Sequence, residues 1–445
     1  MTQKNIAAII LAAGKGTRMK SSLHKVLHPL GGHPMLLHLM DSLDRLAPSK
    51  QVVVVGAGKE QVAEAVKGRA ETALQEPQLG TGHAVQAAQD LMAGFDGDVL
   101  ILYGDVPLLS SATMEAMIAA RHGPDAADVV VLGFRPEDTK AYGRLIVEGG
   151  ELQAIVEHKD ATEAQRAINL CNSGIMAVKG DVLFDLLGRV GNDNASQEYY
   201  LTDIVKIARG LGMRCSVVEA DEVEVMGVNS RQELSQAEKV FQGQKREAAM
   251  KDGATLLDPD TVYFSHDTVV GRDVVIAPNV FFGPKVTIAD NVTINAFCHL
   301  EGADVGEGAI IGPFARLRPG TALAQGVKVG NFVEIKKSQI EAGAKVNHLT
   351  YIGDARVGAK ANIGAGTITC NYDGFNKSFT DIGKGAFIGS NTALVAPVTI
   401  GDGAIVGAGS TISKDVEADA LIVERSPARE IGGWAANFRA KQDKK

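Results

Sequence analysis

At 445 residues the chain is long enough for two or three domains, and its balance of 45% hydrophobic to 22% charged residues is that of a soluble globular protein. A formal net charge of −8 argues against a surface built for nucleic acid or an acidic membrane, so neither partner is expected. No signal peptide precedes the first strand, no apolar run reaches membrane-span length, and Cys171, Cys215, Cys298 and Cys370 show no C-x-x-C spacing; a cytoplasmic protein with free thiols is expected.

Residues 6–11 are a continuous apolar run followed by a glycine-rich loop. Residues 51–55, 99–102 and 129–132 are further buried-strand candidates, with helical stretches between them such as 82–92. Fully apolar strands separated by helices predict a mostly parallel sheet covered on both faces, an α/β domain over residues 1–227. Residues 228–251 read as a linker helix. Ser230 and Glu233 give a capping-box pattern, Leu234, Ala237 and Phe241 an apolar stripe, and Gly253 a stop.

From 252 to 445 the pattern changes. Apolar residues recur six apart at Val270, Ile276, Phe282, Ile288, Ile294 and Leu300, and again from Val305 to Ile335. The series continues through Ile340, Val346, Ile352, Val357 and Ile363, then from Ile382 to Ile412. A period of six fits neither a helix nor a lone amphipathic strand. It fits a coil of three short strands stacked on like coils, with the apolar residue inside and a small residue at the corner. The rhythm slips to five at Val305, Ile340 and Val357. It breaks at 370–381, where an insertion marks a protruding and functional loop. The basic tail from about 430 is expected to be mobile.

Three N-terminal loops carry chemistry. Leu11, Ala12, Ala13 and Gly14 lead into Lys15-Gly16-Thr17-Arg18-Met19, with Lys25 close behind. Such a loop brings backbone N–H groups to phosphates, although the spacing is neither a dinucleotide fingerprint nor a P-loop, and a plain strand-to-helix turn is the alternative. Tyr103, Gly104 and Asp105 end a strand where ligands of open parallel sheets bind. Asp105 there is placed to hold Mg2+ between phosphates, or else to close a turn. The segment from Gln75 to His83, containing Gly80 and Thr81, offers amide and backbone groups suited to a nucleobase edge.

L-x-A-G-x-G-T-R-M, then G-T-G-H-A, then Y-G-D-V-P resembles the sugar-nucleotide pyrophosphorylases. With the hexapeptide half added, nearly the whole chain resembles the bacterial bifunctional N-acetylglucosamine-1-phosphate uridylyltransferases/glucosamine-1-phosphate N-acetyltransferases. The resemblance implies a Rossmann-like nucleotidyltransferase domain, a linker helix and a left-handed parallel β-helix, assembled as a homotrimer. It implies UTP and acetyl-CoA as co-substrates, Mg2+ as cofactor, and glucosamine-1-phosphate and N-acetylglucosamine-1-phosphate as substrates. The product would feed peptidoglycan and lipopolysaccharide synthesis.

Carried over residue by residue, Leu11 to Gly14, Gln75, Gly80 and Thr81 would hold uracil and ribose. Gly143, Glu157 and Asn172 would hold the N-acetylglucosamine moiety, Asp105 and Asn229 would bind Mg2+, and Arg18 and Lys25 would neutralise the triphosphate. In the second half His348 would be the base of acetyl transfer, since His titrates in the right range to take an amine proton. Arg318, Lys336, Tyr351 and Asn362 would bind the sugar phosphate. Ala365, Asn371, Tyr372, Ser390, Ala408 and Arg425 would bind acetyl-CoA, with a backbone N–H near Ala365 as oxyanion donor. The alternatives are a nucleotidyltransferase whose β-helix only oligomerises or senses an effector, and a scaffold without catalysis.

Overall fold

The computed structural model of the chain describes residues 5–123, 125–139, 141–194 and 196–442. The fold divides into two units between Gly243 and Gln244, inside the helix Arg231–Lys251.

The first unit is built on nine strands: β1 (Ile6–Leu11), β2 (Lys50–Val55), β3 (Glu71–Leu74), β4 (Asp98–Tyr103), β5 (Val129–Phe134), β6 (Arg144–Glu148), β7 (Glu151–Val156), β8 (Cys171–Lys179) and β9 (Cys215–Ala220). Their order is β9-β5-β8-β4-β1-β2-β3, with β6 joined to β8 and β7 beside β6. β4, β1, β2 and β3 run parallel, whereas β8 runs antiparallel to both its neighbours. The apolar runs predict these central strands well because both faces are covered. Ala8, Ile10, Leu100 and Leu102 pack with Leu36, Leu39 and Met40, while Ile9, Val52, Val54 and Ile101 pack with Leu183 and Leu186. Each such Leu or Ile contributes roughly 1.5–3 kcal/mol by burial.

The helix expected over 82–92 is shorter. It spans Thr81–Gln86, after which the N–H groups of Ala88 and Gln89 turn to the carbonyls of Val85 and Gln86, three residues back. The chain there tightens from α into turns. The long helix begins as its cap pattern predicts, with one change. Glu233 N–H donates to Ser230 Oγ at 3.3 Å, but the Glu233 carboxylate accepts from Asn229 N–H at 2.8 Å, one residue earlier than in the usual box. Ala237 and Phe241 are buried with Leu30, Met35 and Val228. Gly253, at φ +106°, follows the helix end.

The second unit is a parallel β-helix. Ile276 pairs with Ile294, Ile294 with Ile311, Ile311 with Val329, Val329 with Val346, and Val346 with Ile363, each strand stacked on the next coil. Every residue of the six-residue series is buried except Val270, which is partly covered near the first coil. A slip from six to five makes one coil a residue shorter without turning any inward position outward, as the pairing of Ile294 with Ile311 shows. The insertion is absorbed the same way: Ile363 pairs with Ile388 across it. The tail expected to be mobile forms an exposed helix, Trp434–Gln442, in which Trp434 and Phe438 stack at 5.2 Å. Among the described residues no helix is long and apolar enough to cross a membrane. The four cysteines are unpaired, three of them buried and Cys370 partly exposed.

Candidate active sites

Parallel pairing brings three loops to one edge of the first sheet. Ala12 N–H donates to the Val54 carbonyl at 2.8 Å, Gly104 N–H to Leu11 at 3.0 Å, and Gln75 N–H to Val55 at 2.8 Å. Beyond these strand ends lies a cavity of ≈ 440 Å³ lined by Leu11 to Gly14, Lys25, Gln75, Gly80, Thr81, Tyr103 and Asp105. Gly16 is required here: at φ +62° it lets Lys25 pass so closely that a Cβ would meet Lys25 Cβ at 2.4 Å. Lys25 is thereby aimed across the loop. Its ammonium donates to Asp105 Oδ2 at 2.5 Å and to Asn229 Oδ1 at 2.9 Å. The Lys25 and Asp105 side chains are only 12% and 16% exposed, so this contact is well shielded from solvent.

Asn229 is brought in by the peptide before it, since Val228 N–H donates to the Asp105 carbonyl at 2.9 Å. Two oxygens from distant segments thus converge on one cation. Gly14 has open space where a Cβ would stand, and Arg18 is exposed on the short helical turn Thr17–Met19.

A second cavity of ≈ 510 Å³ shares Thr81, Tyr103 and Glu198 with the first. Gly143, Glu157 and Asn172 line it, and Asn172 N–H donates to the Gly143 carbonyl at 2.9 Å. Burial, then the negative charges of Asp160 and Asp203, push the Glu157 carboxyl above the usual range. Burial, followed by Asp105 and Glu157, raises the Tyr103 phenol, which stays a neutral hydroxyl between the cavities. Glu198 was not anticipated, and Gln78 was covered only as part of the segment from Gln75 to His83. Gln78 donates to the Ala13 carbonyl, a contact between loops far apart in sequence that no local motif announces.

In the β-helix one edge of the coil repeats a left-handed corner: Phe297, Phe314, Phe332, Leu349, Gly366, Asn391 and Gly409 all have φ between +49° and +76°. The first three rings stack at 4.9 and 5.2 Å and are about half exposed. Below Leu349 the corner residues become small or polar. The residues just before these corners stand in the same row. Leu349 N–H donates to the Asn331 carbonyl, Gly366 to His348, Asn391 to Ala365, and Gly409 to Ser390. His348, Ala365, Ser390 and Ala408 therefore occupy successive coils of one edge, about 14 Å long at about 4.8 Å per coil. Arg425 lies against Gly409 in the coil beyond, its Cδ 3.8 Å from where a Cβ would be.

His348 is exposed, and its Nδ1 lies 2.9 Å from Asn331 Oδ1. An N–H on Nδ1 donating to that oxygen leaves Nε2 as the free lone pair. Arg318 donates to Glu334 at 2.7 Å, and Glu334 pairs in register with Tyr351 on the adjoining face. Lys336 pairs with Gly353 on that face, while Asn362 lies on the face preceding the edge. Lys377 of the insertion, with Arg318 nearby, pushes the Lys336 ammonium below its usual pKa. Lys377 escaped the sequence reading because only the folded insertion brings it to Lys336. Asn371 is buried and donates to Asp354 at 2.5 Å, whereas Tyr372 stands exposed. Arg318, Lys336 and Tyr351 thus belong to the face that follows the edge of His348, with Tyr351 three residues past His348 in the chain.

The chain matches two families: the MobA-like NTP transferase domain over residues 8–169, and the bacterial transferase hexapeptide, six repeats, over 267–302 and 379–414. The three-stranded coil with its six-residue period is the left-handed β-helix of hexapeptide proteins. "Bifunctional protein GlmU" of Rhodospirillum rubrum is 64% identical over 98% of this chain and 97% of that protein. The protein of the same name from Rhizorhabdus wittichii is 63% identical over 99% and 98%, and that from Paramagnetospirillum magneticum 59% over 99% and 98%. The chain belongs to the bifunctional GlmU family. As in that family, it is a bifunctional enzyme with a nucleotidyltransferase unit followed by a hexapeptide acetyltransferase unit.

Proposed function

We propose that the second unit acetylates glucosamine-1-phosphate from acetyl-CoA, and that the first then joins the N-acetylglucosamine-1-phosphate to UMP from UTP, releasing pyrophosphate. One observation carries the nucleotidyl half: two cavities, one under the glycine loop and one around Glu157, share a wall at Thr81, Tyr103 and Glu198. A nucleotide in the first and a sugar phosphate in the second meet at that wall. The sugar phosphate oxygen is already ionised and attacks the α-phosphorus in line, so no general base is needed. Arg18 and Lys25 offset the charge that moves onto the leaving pyrophosphate.

Asp105 and Asn229 are the residues for Mg2+. Their two oxygens already converge on a cation, the Lys25 ammonium, and few protein oxygens suit a metal that also binds phosphates. When bound, Mg2+ supplies charge neutralisation to the phosphate oxygens. Gly143, Glu157 and Asn172 orient the sugar.

In the acetyltransferase half, His348 Nε2 takes the proton from the glucosamine amine as its nitrogen attacks the thioester carbonyl. The tetrahedral oxyanion faces the backbone N–H of Ala365, the carbon–sulfur bond breaks, and the CoA thiolate takes up a proton. The row from Ala365 through Ser390 to Ala408, ending at Arg425, fits an extended thioester cofactor, with Asn371 and Tyr372 as further contacts. Arg318, Lys336, Tyr351 and Asn362 bind the sugar phosphate. We propose that neighbouring helices of a homotrimer pack along the His348 edge and complete each site. The half-exposed ladder of Phe297, Phe314 and Phe332 supports such packing. The enzyme would act in the cytoplasm and supply cell-wall precursors.

The test supplies glucosamine-1-phosphate, acetyl-CoA, UTP and Mg2+ to the purified protein. Free thiol should appear first and pyrophosphate second, and pyrophosphate release should require acetyl-CoA. Pyrophosphate formed at full rate without acetyl-CoA would refute the order.

A further inference from the structure

We propose that His83 is a positioning residue that fixes the base preference of the nucleotide cavity, so that it takes a uracil nucleotide and rejects a cytosine one. This deepens the proposed uridylyl transfer and rests on it. Gln75 is 5% exposed in the cavity wall. Its side-chain nitrogen donates to the Gly80 carbonyl at 2.9 Å and contacts His83 Nδ1 at 3.3 Å. A carbonyl oxygen only accepts, so the atom facing Gly80 is the amide nitrogen. Its second hydrogen goes to His83 Nδ1, which is therefore the lone-pair nitrogen of the ring. With both amide hydrogens engaged, the Gln75 oxygen is the end left for a ligand.

Uracil carries a hydrogen on N3 where cytosine carries a lone pair. A fixed acceptor pairs with the first and repels the second, and an unmatched buried polar group is what makes such discrimination strong. The two acceptors are themselves held. Gly80 has φ +112°, and a Cβ there would meet the Tyr199 carbonyl at 2.7 Å. Gly82 N–H donates to that same carbonyl at 2.8 Å, seating the turn that carries His83. Without His83, only the Gly80 carbonyl would oppose rotation of the amide, and the cavity could offer a donor to cytosine.

The test measures kcat/KM with UTP and with CTP, at saturating N-acetylglucosamine-1-phosphate, for the full-length wild type, His83→Leu, His83→Lys and His83→Asn. Leucine removes the acceptor, lysine replaces it with a donor at a partly exposed position, and asparagine returns an oxygen near the place of Nδ1. The UTP-to-CTP ratio should fall roughly five-fold in His83→Leu, the worth of one neutral hydrogen bond, and at least as far in His83→Lys. His83→Asn should recover most of it. An unchanged ratio in both the leucine and lysine variants, with both donors slowed alike, would overturn the proposal and leave uridylyl transfer standing. A wild type that releases pyrophosphate from neither donor would instead overturn uridylyl transfer itself.

Discussion

His348 Nδ1 lies 2.9 Å from Oδ1 of Asn331, its partner in the preceding coil. A base whose far nitrogen is held this way keeps one tautomer and one ring orientation. His348→Ala should slow acetyl transfer by roughly 10²- to 10⁴-fold, the usual worth of a general base. Asn331→Ala should cost less, about ten-fold, and should lower kcat more than it raises KM. Steady-state thiol release measures both, and an Asn331→Ala enzyme with wild-type kcat would remove the positioning role.

Chelation separates the two halves. Asp105 and Asn229 converge on a cation in the first unit. Excess EDTA should stop pyrophosphate release and leave thiol release untouched, and added Mg2+ should restore the former. Inhibition of thiol release to the same extent would argue against separate sites.

Replacing Gly16 by alanine places a Cβ 2.4 Å from Lys25 Cβ at a left-handed corner. The corner alone costs about 1–2 kcal/mol, and the contact must displace Lys25. Gly16→Ala should therefore lose most nucleotidyl activity while acetyl transfer in the same preparation stays normal. Parallel assays of the two products check this.

Glu157 gives a pH dependence with a definite sign. Its carboxyl is raised above the ordinary value of 4.5, chiefly by burial. Between the two values the folded state holds the proton more tightly than the unfolded state, so stability falls as pH rises through that window and stays lower above it. Glu157→Gln removes the titration. Thermal unfolding of the first unit should show the variant gaining more over wild type at pH 7 than at pH 4, with weaker sugar binding. A gain that is equal at both values would mean that the carboxyl is not shifted.

Thiol reactivity should single out one cysteine. Burial pushes the Cys215 thiol up to about 12 and Cys298 up to about 11, whereas Cys370 is partly exposed beside the insertion. Alkylation near pH 8 should label Cys370 first, as peptide mass spectrometry would read. Labelling of Cys215 ahead of it would contradict the burial.

The sequence and the structure agree where a residue's environment is repetitive or local. The six-residue series names almost every inward side chain of the β-helix because each coil repeats the same geometry. The central strands of the sheet are legible because both faces are apolar. The approach of Lys25 to Asp105 and Asn229 was only partly legible, since the resemblance implied roles for all three but no local pattern brings segments so far apart in sequence into contact. The contact of Asn331 with His348, of Gln78 with the Ala13 carbonyl, and of Lys377 with Lys336 was not legible at all. Each depends on which coil or loop stacks on which, and local pattern is silent on that. The helix over 82–92 stops early because its second half turns onto carbonyls three residues back, a choice that helical periodicity does not distinguish.

The central claim is that the protein carries two independent active sites joined by a diffusible intermediate. The most direct measurement mixes equal amounts of Asp105→Ala and His348→Ala proteins with glucosamine-1-phosphate, acetyl-CoA, UTP and Mg2+, and follows the UDP-sugar. Each variant alone should make almost none, and the mixture should make it at a substantial fraction of the wild-type rate. A mixture as inactive as its components, or either variant completing both steps alone, would contradict the account.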